Sequence, residues 1–462
     1  MSFSYGSLSR ARKFVIIGGG PAGVSCATTA SRLGAEVTLV EAEIIGGGAH
    51  LYDCVPSKAM ISTGSAISMM ASAEEMGLVK VDVEMDFASL ADRISDIEQT
   101  LTTGFTELLE SQGVNIVEGR GRLLSNNTVE VTDSQGQTSV LEADVIVLST
   151  GSRPRVPDWA SIDGKRVLTT RDAYPPEELP SHLIVVGSGV TGVEFTHMFN
   201  SFGSKVSLLV SRQQVLPGKD PEVASVLEES FKHKGVDLHM GARATSIAVG
   251  DNEVTVNCED GRKVTGSHAL LCIGSVPNTE YLGLENTDID VDGGYIVVDH
   301  NMVSSVDNVY VAGDISGKLP LSSVATRQGR KIAEHAMGLH SGPHSHIDYD
   351  KAASAIFCDP EVADVGVAES EAFAEGRKIR VTKVPFSSVA KAHINNDSRG
   401  FVKIVSDPAT GVVLGGSIVG RHAAELISVV ALAVSAGLKI TDLTESLFVH
   451  PALAEALSEA AE

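Results

Sequence analysis

The sequence predicts an α/β protein with two Rossmann-like dinucleotide-binding domains and a C-terminal α+β domain. Phe14 to Glu41 and Leu183 to Val210 align without a gap, and each is typical of a β-strand, a glycine-rich turn, an amphipathic helix and a second strand. After His340 to Asp350 the pattern changes to short alternating strands followed by helices. A chain of 462 residues also exceeds what one hydrophobic core usually supports, so several domains are expected.

The glycine-rich turns carry the G-x-G-x-x-G pattern of a dinucleotide site. In such a turn one glycine allows the sharp bend, one lets the backbone approach a pyrophosphate, and one lets helix and strand pack closely. The helix N-terminus then faces the phosphates. A lone fingerprint is weak, but two in the same strand-turn-helix-strand context predict two bound dinucleotides. The candidate residues are Gly18, Gly20, Pro21, Ala22 and Gly23 in the first turn and Gly187, Gly189, Val190, Thr191 and Gly192 in the second.

The ends of the second strands predict that the two dinucleotides differ. Glu41 ends this strand in the first repeat, where a carboxylate accepts hydrogen bonds from ribose hydroxyls. The aligned residue in the second repeat is Val210, followed by Ser211 and Arg212. A hydroxyl and a guanidinium suit a 2′-phosphate, which a carboxylate would repel. We therefore expect the second site to accept NADPH, with NADH also open; the alternative is that Arg212 is an ordinary solvated loop residue.

Two further apolar segments resemble the closing strands of such folds. "VIVLSTGSRPRVP" contains Thr150 and Gly151, and "NVYVAGDIS" contains Asp314. A carboxylate at a strand end can bond a cofactor hydroxyl, although an aspartate that caps a turn is the alternative. His344 and His346 lie near one another, but no carboxylate or cysteine constellation accompanies them, so we expect no metal site.

Composition narrows the class of protein. The formal net charge of −23 argues against nucleic acid or an anionic bilayer as a partner. The longest apolar run near the C-terminus, residues 426–438, is too short to span a bilayer, and the N-terminal residues lack a secretory pattern. We therefore expect a cytoplasmic protein without membrane insertion.

Cysteine usage singles out one residue. The five cysteines are Cys26, Cys54, Cys258, Cys272 and Cys358. They are odd in number and scattered, which is not a disulfide scaffold. Four of them lie in apolar or strand-like contexts and are expected to be small core residues. Only Cys54 lies in a motif, "GGGAHLYDCVPSK".

With these motifs in order, the sequence resembles the flavoprotein disulfide reductases, the class I pyridine nucleotide-disulfide oxidoreductases that include dihydrolipoamide dehydrogenase and glutathione reductase. The resemblance covers essentially the whole chain and rests on both fingerprints, "DCVPSK", "STGSRPRVP", "IGSVPNT", "VYVAGD" and "FVHPALAE". It implies an FAD domain in two parts (1–155 and 281–345), an NAD(P) domain (156–280) and a dimerisation domain (346–462) through which a homodimer forms.

The resemblance also implies roles for individual residues. Lys58 would lie beside the flavin N5, paired with Glu194, and would help to hold charge on the reduced ring. His450 and Glu455 match the family's "HPxxxE" stretch, which reaches the flavin site of the other subunit; their alternative is a structural role at the dimer interface. The remaining cofactor contacts that it implies are Gly47, Gly48, Thr150, Gly151, Gly274 and Asp314.

The departure from the family concerns its redox pair. The family uses Cys-x-x-x-x-Cys, and Ala49 occupies the place of the first, attacking thiol while Cys54 keeps the flavin-side thiol. A thiol and a methyl group cannot form a disulfide, so a dithiol relay is closed. This pattern is similar to the lipoamide-dehydrogenase-like NAD(P)H:quinone reductases. It implies that hydride passes from NAD(P)H to FAD and that electrons then go directly to a quinone or similar acceptor.

Two alternatives remain open at this point. Cys54 could cycle through a sulfenic acid in an NAD(P)H oxidase or peroxidase, since a lone low-pKa thiol supports that chemistry. The chain could instead be a sensor that binds flavin without turnover, against which the retention of both fingerprints, Lys58 and Glu194 weighs.

Overall fold

The structure is a computed structural model that describes residues 10–79, 83–339 and 346–462. The chain divides into two compact units. The first comprises Met1–Val55, Arg93–Arg153 and Ser275–Ile347, and the second comprises Pro56–Asp92, Pro154–Gly274 and Asp348–Glu462. No helix of the described residues is long and apolar enough to cross a membrane.

The strands follow in chain order. They are β1 (Lys13–Ile17), β2 (Glu36–Glu41), β3 (Asn115–Glu118), β4 (Arg120–Ser125), β5 (Thr128–Thr132), β6 (Thr138–Glu142), β7 (Val145–Leu148), β8 (Ser152–Pro154), β9 (Val167–Leu168), β10 (His182–Val186), β11 (Lys205–Val210), β12 (Asp237–Met240), β13 (Ala244–Val249), β14 (Val254–Cys258), β15 (Lys263–Gly266), β16 (His268–Leu271), β17 (Ser275–Pro277), β18 (Val291–Asp292), β19 (Tyr295–Ile296), β20 (Val309–Val311), β21 (Ser354–Ile356), β22 (Glu361–Gly366), β23 (Arg380–Pro385), β24 (Phe401–Ser406) and β25 (Val413–Gly420).

The α-helices are α1 (Pro21–Arg32), α2 (Val55–Ala71), α3 (Phe87–Ser111), α4 (Val190–Ser201), α5 (Pro221–His233), α6 (Ser322–Ala336), α7 (Glu369–Ala374), α8 (Ala390–Ile394), α9 (Ala423–Ala436), α10 (Ile440–Thr444) and α11 (Glu455–Glu459). A π-helical turn, Ala49–Cys54, precedes α2. Short 3₁₀ turns occupy Ala73–Met76, Thr170–Ala173, Leu284–Asn286, Asp314–Ser316, Tyr349–Lys351 and Phe386–Ser388.

The first unit is organised by a parallel sheet in the order β20-β7-β1-β2-β3. Its strands are nearly continuous runs of buried β-branched and aliphatic residues, which is the pattern of a sheet covered on both faces. Helices α1 and α6 cover one face, and residues of the antiparallel sheet β4-β5-β6 cover the other. Gly329 allows the close crossing of these helices, since a Cβ there would lie 2.0 Å from the carbonyl oxygen of Ala22.

The second unit contains a matching parallel sheet in the order β12-β11-β10-β16-β9, with an antiparallel sheet β13-β14-β15 beside it. Its C-terminal part is an antiparallel sheet, β21-β22-β25-β24-β23, on which α9 packs through Ile427, Val430 and Ala433. The predicted fold class, two Rossmann-like folds and a C-terminal α+β domain, is confirmed.

In both parallel sheets the carboxyl ends of the strands meet at one edge. Each glycine-rich turn leaves this edge after the first strand, β1 or β10, and enters α1 or α4. Open α/β sheets bind their ligands at this edge. The fold therefore places the two fingerprints at equivalent positions in the two sheets.

Candidate functional site

The first glycine-rich turn forms an open cradle. Gly18 has a φ of +106°, and a Cβ at Gly23 would lie 2.0 Å from the carbonyl oxygen of Gly18, so both positions require glycine. At Gly20 a Cβ would meet only the Cα of Gly47, at 3.9 Å. The space above Gly20 is therefore open, and the N-terminus of α1, beginning at Pro21 and Ala22, faces it.

A second loop closes one side of this cradle. Gly47 has a φ of +84°, and a Cβ there would lie 2.6 Å from the Cα of Gly20. Gly48 is the N-cap of the π-helical turn. The glycines before the cysteine motif thus let the two loops approach each other in the first unit.

The carboxylate of Glu41 is fixed at the end of β2. It accepts a backbone hydrogen bond from Gly19 at 2.6 Å and two more from Ala42 and Glu43, at 2.8 and 2.7 Å. Because an ionised carboxylate offers about four acceptor positions, one remains for a ribose hydroxyl. The charge is therefore held in place before any ligand arrives.

Hydrogen bonds connect the segments that follow the other strands of the first unit. The Oγ of Ser152 donates to the Oδ2 of Asp314 at 2.6 Å, which orients this carboxylate. Thr150 exchanges two hydrogen bonds with Asn278, at 2.8 and 2.9 Å, and the Asn278 N–H donates to the carbonyl of Gly151. Asn278 and Ser152 were not predicted, because each looks like an ordinary loop residue when its distant partner is unknown.

The second glycine-rich turn has nearly the same backbone geometry as the first. Gly187 has a φ of +110°, and a Cβ at Gly192 would lie 1.8 Å from the carbonyl oxygen of Gly187. At Gly189 a Cβ would meet nothing within 4 Å. Val190 and Thr191 form the start of α4. This cradle is therefore also open where a pyrophosphate would approach.

The strand end beside the second cradle carries no carboxylate. Val210 is buried at the end of β11, whereas the side chains of Ser211 and Arg212 are exposed. The Arg212 carbonyl accepts from Gly241, so the backbone there is fixed. Gly274, with a φ of +91°, accepts a backbone hydrogen bond from Arg155.

An ion pair joins the start of α2 to α4 within the second unit. The Nζ of Lys58 lies 2.9 Å from the Oε2 of Glu194. Glu194 is only 4% exposed, and its Oε1 accepts the backbone N–H of Phe357 at 2.9 Å. The Lys58 side chain is 31% exposed, so its ammonium is held by a buried carboxylate while part of it reaches solvent.

The cysteine motif contains one thiol that is not buried. Cys54 ends the π-helical turn and is half-buried, and Ala49, five residues before it, is exposed. None of the five cysteines is in a disulfide, and the other four are buried, as predicted. Burial raises the pKa of the Cys26 thiol to about 12 and raises the pKa values of Cys272 and Cys358 well above the usual range. Such thiols are poor nucleophiles.

His450 and Glu455 also lie together. The Nδ1 of His450 is 2.6 Å from the Oε1 of Glu455, and the Oε2 accepts the Ala452 N–H at 2.9 Å. That N–H and the imidazole lower the pKa of the Glu455 carboxyl. The carboxylate orients the ring so that Nε2 is left to exchange a proton, and the His450 side chain is 72% exposed.

The histidines before the C-terminal domain form no described metal site. His344 lies outside the described residues, and the ring of His346 packs against that of His300 with centroids 4.5 Å apart. In the described ranges no group of three or more histidine, cysteine, aspartate or glutamate side chains could hold a metal ion.

Comparisons with known proteins find similar chains over nearly the whole length of this one. The family described as pyridine nucleotide-disulphide oxidoreductase matches residues 12–329, and its dimerisation domain matches residues 352–461. The NAD(P)H dehydrogenase (quinone) of Mycobacterium tuberculosis is 40% identical over 461 residues, which cover 97% of this chain and 93% of that protein. A dihydrolipoyl dehydrogenase of Bacillus subtilis is 33% identical over 97% of this chain and 96% of that protein. The crystal structure of LpdA from M. tuberculosis superposes with a TM-score of 0.92 at 39% identity, covering 98% and 99% of the two chains.

Proposed function

Because the chain belongs to the pyridine nucleotide-disulphide oxidoreductase family, we propose that it oxidises NAD(P)H and reduces a quinone or similar small acceptor without a disulfide relay. The family binds FAD and uses NAD(P)H. The relative named NAD(P)H dehydrogenase (quinone) supports a quinone as the acceptor. The dihydrolipoyl dehydrogenases that also match make a disulfide substrate the main alternative to a quinone.

The observation that carries the proposal is Ala49 five residues before Cys54. Thiol-disulfide exchange needs an attacking thiolate and a second sulfur to resolve the mixed disulfide. Cys54 is the only thiol of the five that is not buried, and burial raises the pKa values of the other four. This chain therefore lacks a partner thiol suited to a relay.

The first cradle fits FAD, because the position of a Cβ on Gly20 is open and a fixed carboxylate lies at the neighbouring strand end. When bound, FAD accepts hydride from a reduced nicotinamide and can return the electrons to a quinone. The residues proposed to hold it are Gly18, Gly20, Pro21, Ala22, Gly23, Glu41, Gly47, Gly48, Thr150, Gly151 and Asp314. Those proposed to hold NAD(P)H are Gly187, Gly189, Val190, Thr191, Gly192, Ser211, Arg212 and Gly274.

Lys58 supplies a fixed positive charge in this proposal. Its ammonium is tied to a buried carboxylate, so it needs no reorganisation when negative charge develops during reduction. Glu194 positions it and satisfies the charge in the resting protein.

His450 and Glu455 serve as a proton source for the reduced acceptor, with Nε2 as the exchanging atom. The dimerisation domain supports a homodimer, and we infer that two chains pair through residues 352–461. A cytoplasmic location stays a prediction.

Steady-state reduction of menadione by NADPH, with purified FAD-loaded protein, tests the proposal. We expect turnover in the wild type, and turnover within about two-fold of it in Cys54→Ser, because no thiol lies in the electron path. The control is Cys258→Ala, which removes a buried thiol of β14.

Two outcomes would contradict the proposal. Absence of turnover with every quinone tested, while NADPH still bleaches the flavin, would exclude quinone reduction. Loss of quinone turnover in Cys54→Ser at unchanged FAD content would instead place Cys54 in the electron path, as the sulfenic acid alternative requires.

A further inference from the structure

The ammonium of Lys58 contacts an aromatic ring as well as its carboxylate partner, and it also donates to the Oγ of Ser57 at 3.4 Å. Its Nζ lies 5.1 Å from the centroid of the Phe357 ring. A cation within about 6 Å of a ring centroid is attracted by the negative face of the aromatic ring. The half-buried Phe357 ring therefore acts on the same charge that Glu194 neutralises.

The backbone of Phe357 binds the other partner of the ion pair. Its N–H donates to the Oε1 of Glu194 at 2.9 Å, while Lys58 occupies the Oε2. One residue thus contacts both the cation and the anion, the first through its ring and the second through its main chain. Hydrogen bonds to a charged acceptor are among the stronger ones in proteins, so this contact fixes the carboxylate as well.

The segment that carries Phe357 is itself held in place, independently of Lys58. Phe357 follows β21, and two residues later Asp359 pairs with Lys234 at 2.5 Å and with Arg399 at 2.6 Å. Burial alone would raise the pKa of Asp359, but these two cations outweigh it and lower the pKa to about 2. The Oγ of Ser230 donates to the Asp359 carbonyl at 3.0 Å.

We propose that Phe357 is a positioning residue for the Lys58–Glu194 pair, holding the ammonium through its ring and the carboxylate through its N–H. This inference rests on the proposed function, in which the charge of Lys58 serves the reduction step. The ion pairs of Asp359 hold the segment that carries Phe357. The two contacts of Phe357 then hold the Lys58–Glu194 pair. A tyrosine keeps the ring and the N–H, whereas a leucine keeps only the N–H and the apolar volume.

The test compares Phe357→Leu and Phe357→Tyr in the full-length holoenzyme. The first readout is the rate at which acetic anhydride modifies Lys58, followed by peptide mass spectrometry. We expect Phe357→Leu to raise this rate about five-fold, the size expected for the loss of one partly exposed cation–π contact, and Phe357→Tyr to stay within about two-fold of wild type. The second readout is the anaerobic rate of flavin bleaching by NADPH, which should fall about five-fold in Phe357→Leu and recover in Phe357→Tyr.

Phe401→Leu is the matched control. The Phe401 ring lies 5.3 Å from the Nζ of Lys383 and 5.7 Å from that of Lys403, so this variant removes a cation–π contact that does not involve Lys58. Its Lys58 modification rate and bleaching rate should match the wild type. A thermal unfolding curve for each variant separates positioning from general destabilisation.

The outcomes separate this inference from the proposed function. Wild-type labelling and bleaching rates in Phe357→Leu, or equal effects in the leucine and tyrosine variants, would overturn the positioning role. Failure of the wild type to reduce quinones would overturn the proposed function, while the labelling result would still decide whether Phe357 holds Lys58.

Discussion

The two strand-turn-helix-strand repeats have nearly the same backbone and different strand ends. Their first glycines have φ values of +106° and +110°, and a Cβ on the third glycine would clash with the carbonyl of the first at 2.0 and 1.8 Å. At the end of the second strand, however, Glu41 accepts three backbone hydrogen bonds, whereas the buried Val210 leads into two exposed polar side chains. The backbone leaves the same open space in both repeats, and we propose that the strand end distinguishes the two ligands.

This difference also bears on the chemistry. A fixed carboxylate suits the ribose hydroxyls of a dinucleotide that has no 2′-phosphate. An exposed serine and arginine suit a coenzyme that carries a 2′-phosphate. We therefore propose FAD as the ligand of the first cradle and NAD(P)H as the ligand of the second.

The largest effect is expected from blocking one cradle at a time. Gly20→Val should reduce the FAD content of the purified protein more than ten-fold, because its side chain would fill the space for the pyrophosphate. Gly189→Val should keep its FAD but raise the KM for NADPH more than ten-fold for the same reason. FAD absorbance and steady-state kinetics measure the two effects.

Gly218→Ala is the control for these variants, because a Cβ there meets nothing within 4 Å and the residue has no positive φ. It should change neither FAD content nor the KM. If Gly189→Val lost FAD, or Gly20→Val retained it with a raised KM, the two cradles would have been assigned to the wrong ligands.

The two glycine-rich turns and their different strand ends could be predicted from the sequence, because the spacing of glycines indicates where the backbone must turn sharply or approach another chain segment. Glycine is required at position 23 because a Cβ would clash with the carbonyl of Gly18. Gly18 is only five residues earlier in the chain, so both residues belong to the same motif and the requirement is visible in the sequence. Phe357 gave no such signal: an aromatic residue next to β21 fits an ordinary core, and its partners Lys58 and Glu194 are 299 and 163 residues distant. The π-helical form of Ala49–Cys54 was also not predicted, because its residues suit an α-helix equally well.

A smaller effect is expected from the strand end of the second repeat. Arg212→Ala should raise the KM for NADPH about ten-fold and leave the KM for NADH within about two-fold, because the guanidinium would pair only with the 2′-phosphate. Steady-state kinetics with each coenzyme measures this. Arg243→Ala, which removes an exposed arginine 3.8 Å from Glu259 in the same unit, is the control. An equal change of the KM for both coenzymes in Arg212→Ala would show that Arg212 does not bind the 2′-phosphate.

The smallest effect is expected at a pair outside both cradles. His450→Gln should lower quinone turnover about three-fold and leave the rate of flavin bleaching by NADPH unchanged, because water can also protonate a reduced quinone. Stopped-flow absorbance separates the two steps. Slower bleaching in this variant would mean that His450 acts in the transfer of hydride from NADPH, and its proposed role as a proton source for the reduced quinone would be wrong.

Quinone reduction without a disulfide relay is tested most directly by the ratio of two activities of the wild-type protein. NADPH-dependent reduction of menadione and NAD⁺-dependent oxidation of dihydrolipoamide are measured on one FAD-loaded preparation. Because Ala49 stands in place of the attacking thiol, we expect ready quinone reduction and dihydrolipoamide oxidation at least 100-fold slower, since covalent thiol chemistry is closed. Dihydrolipoamide oxidation at a rate equal to or above quinone reduction would contradict this expectation.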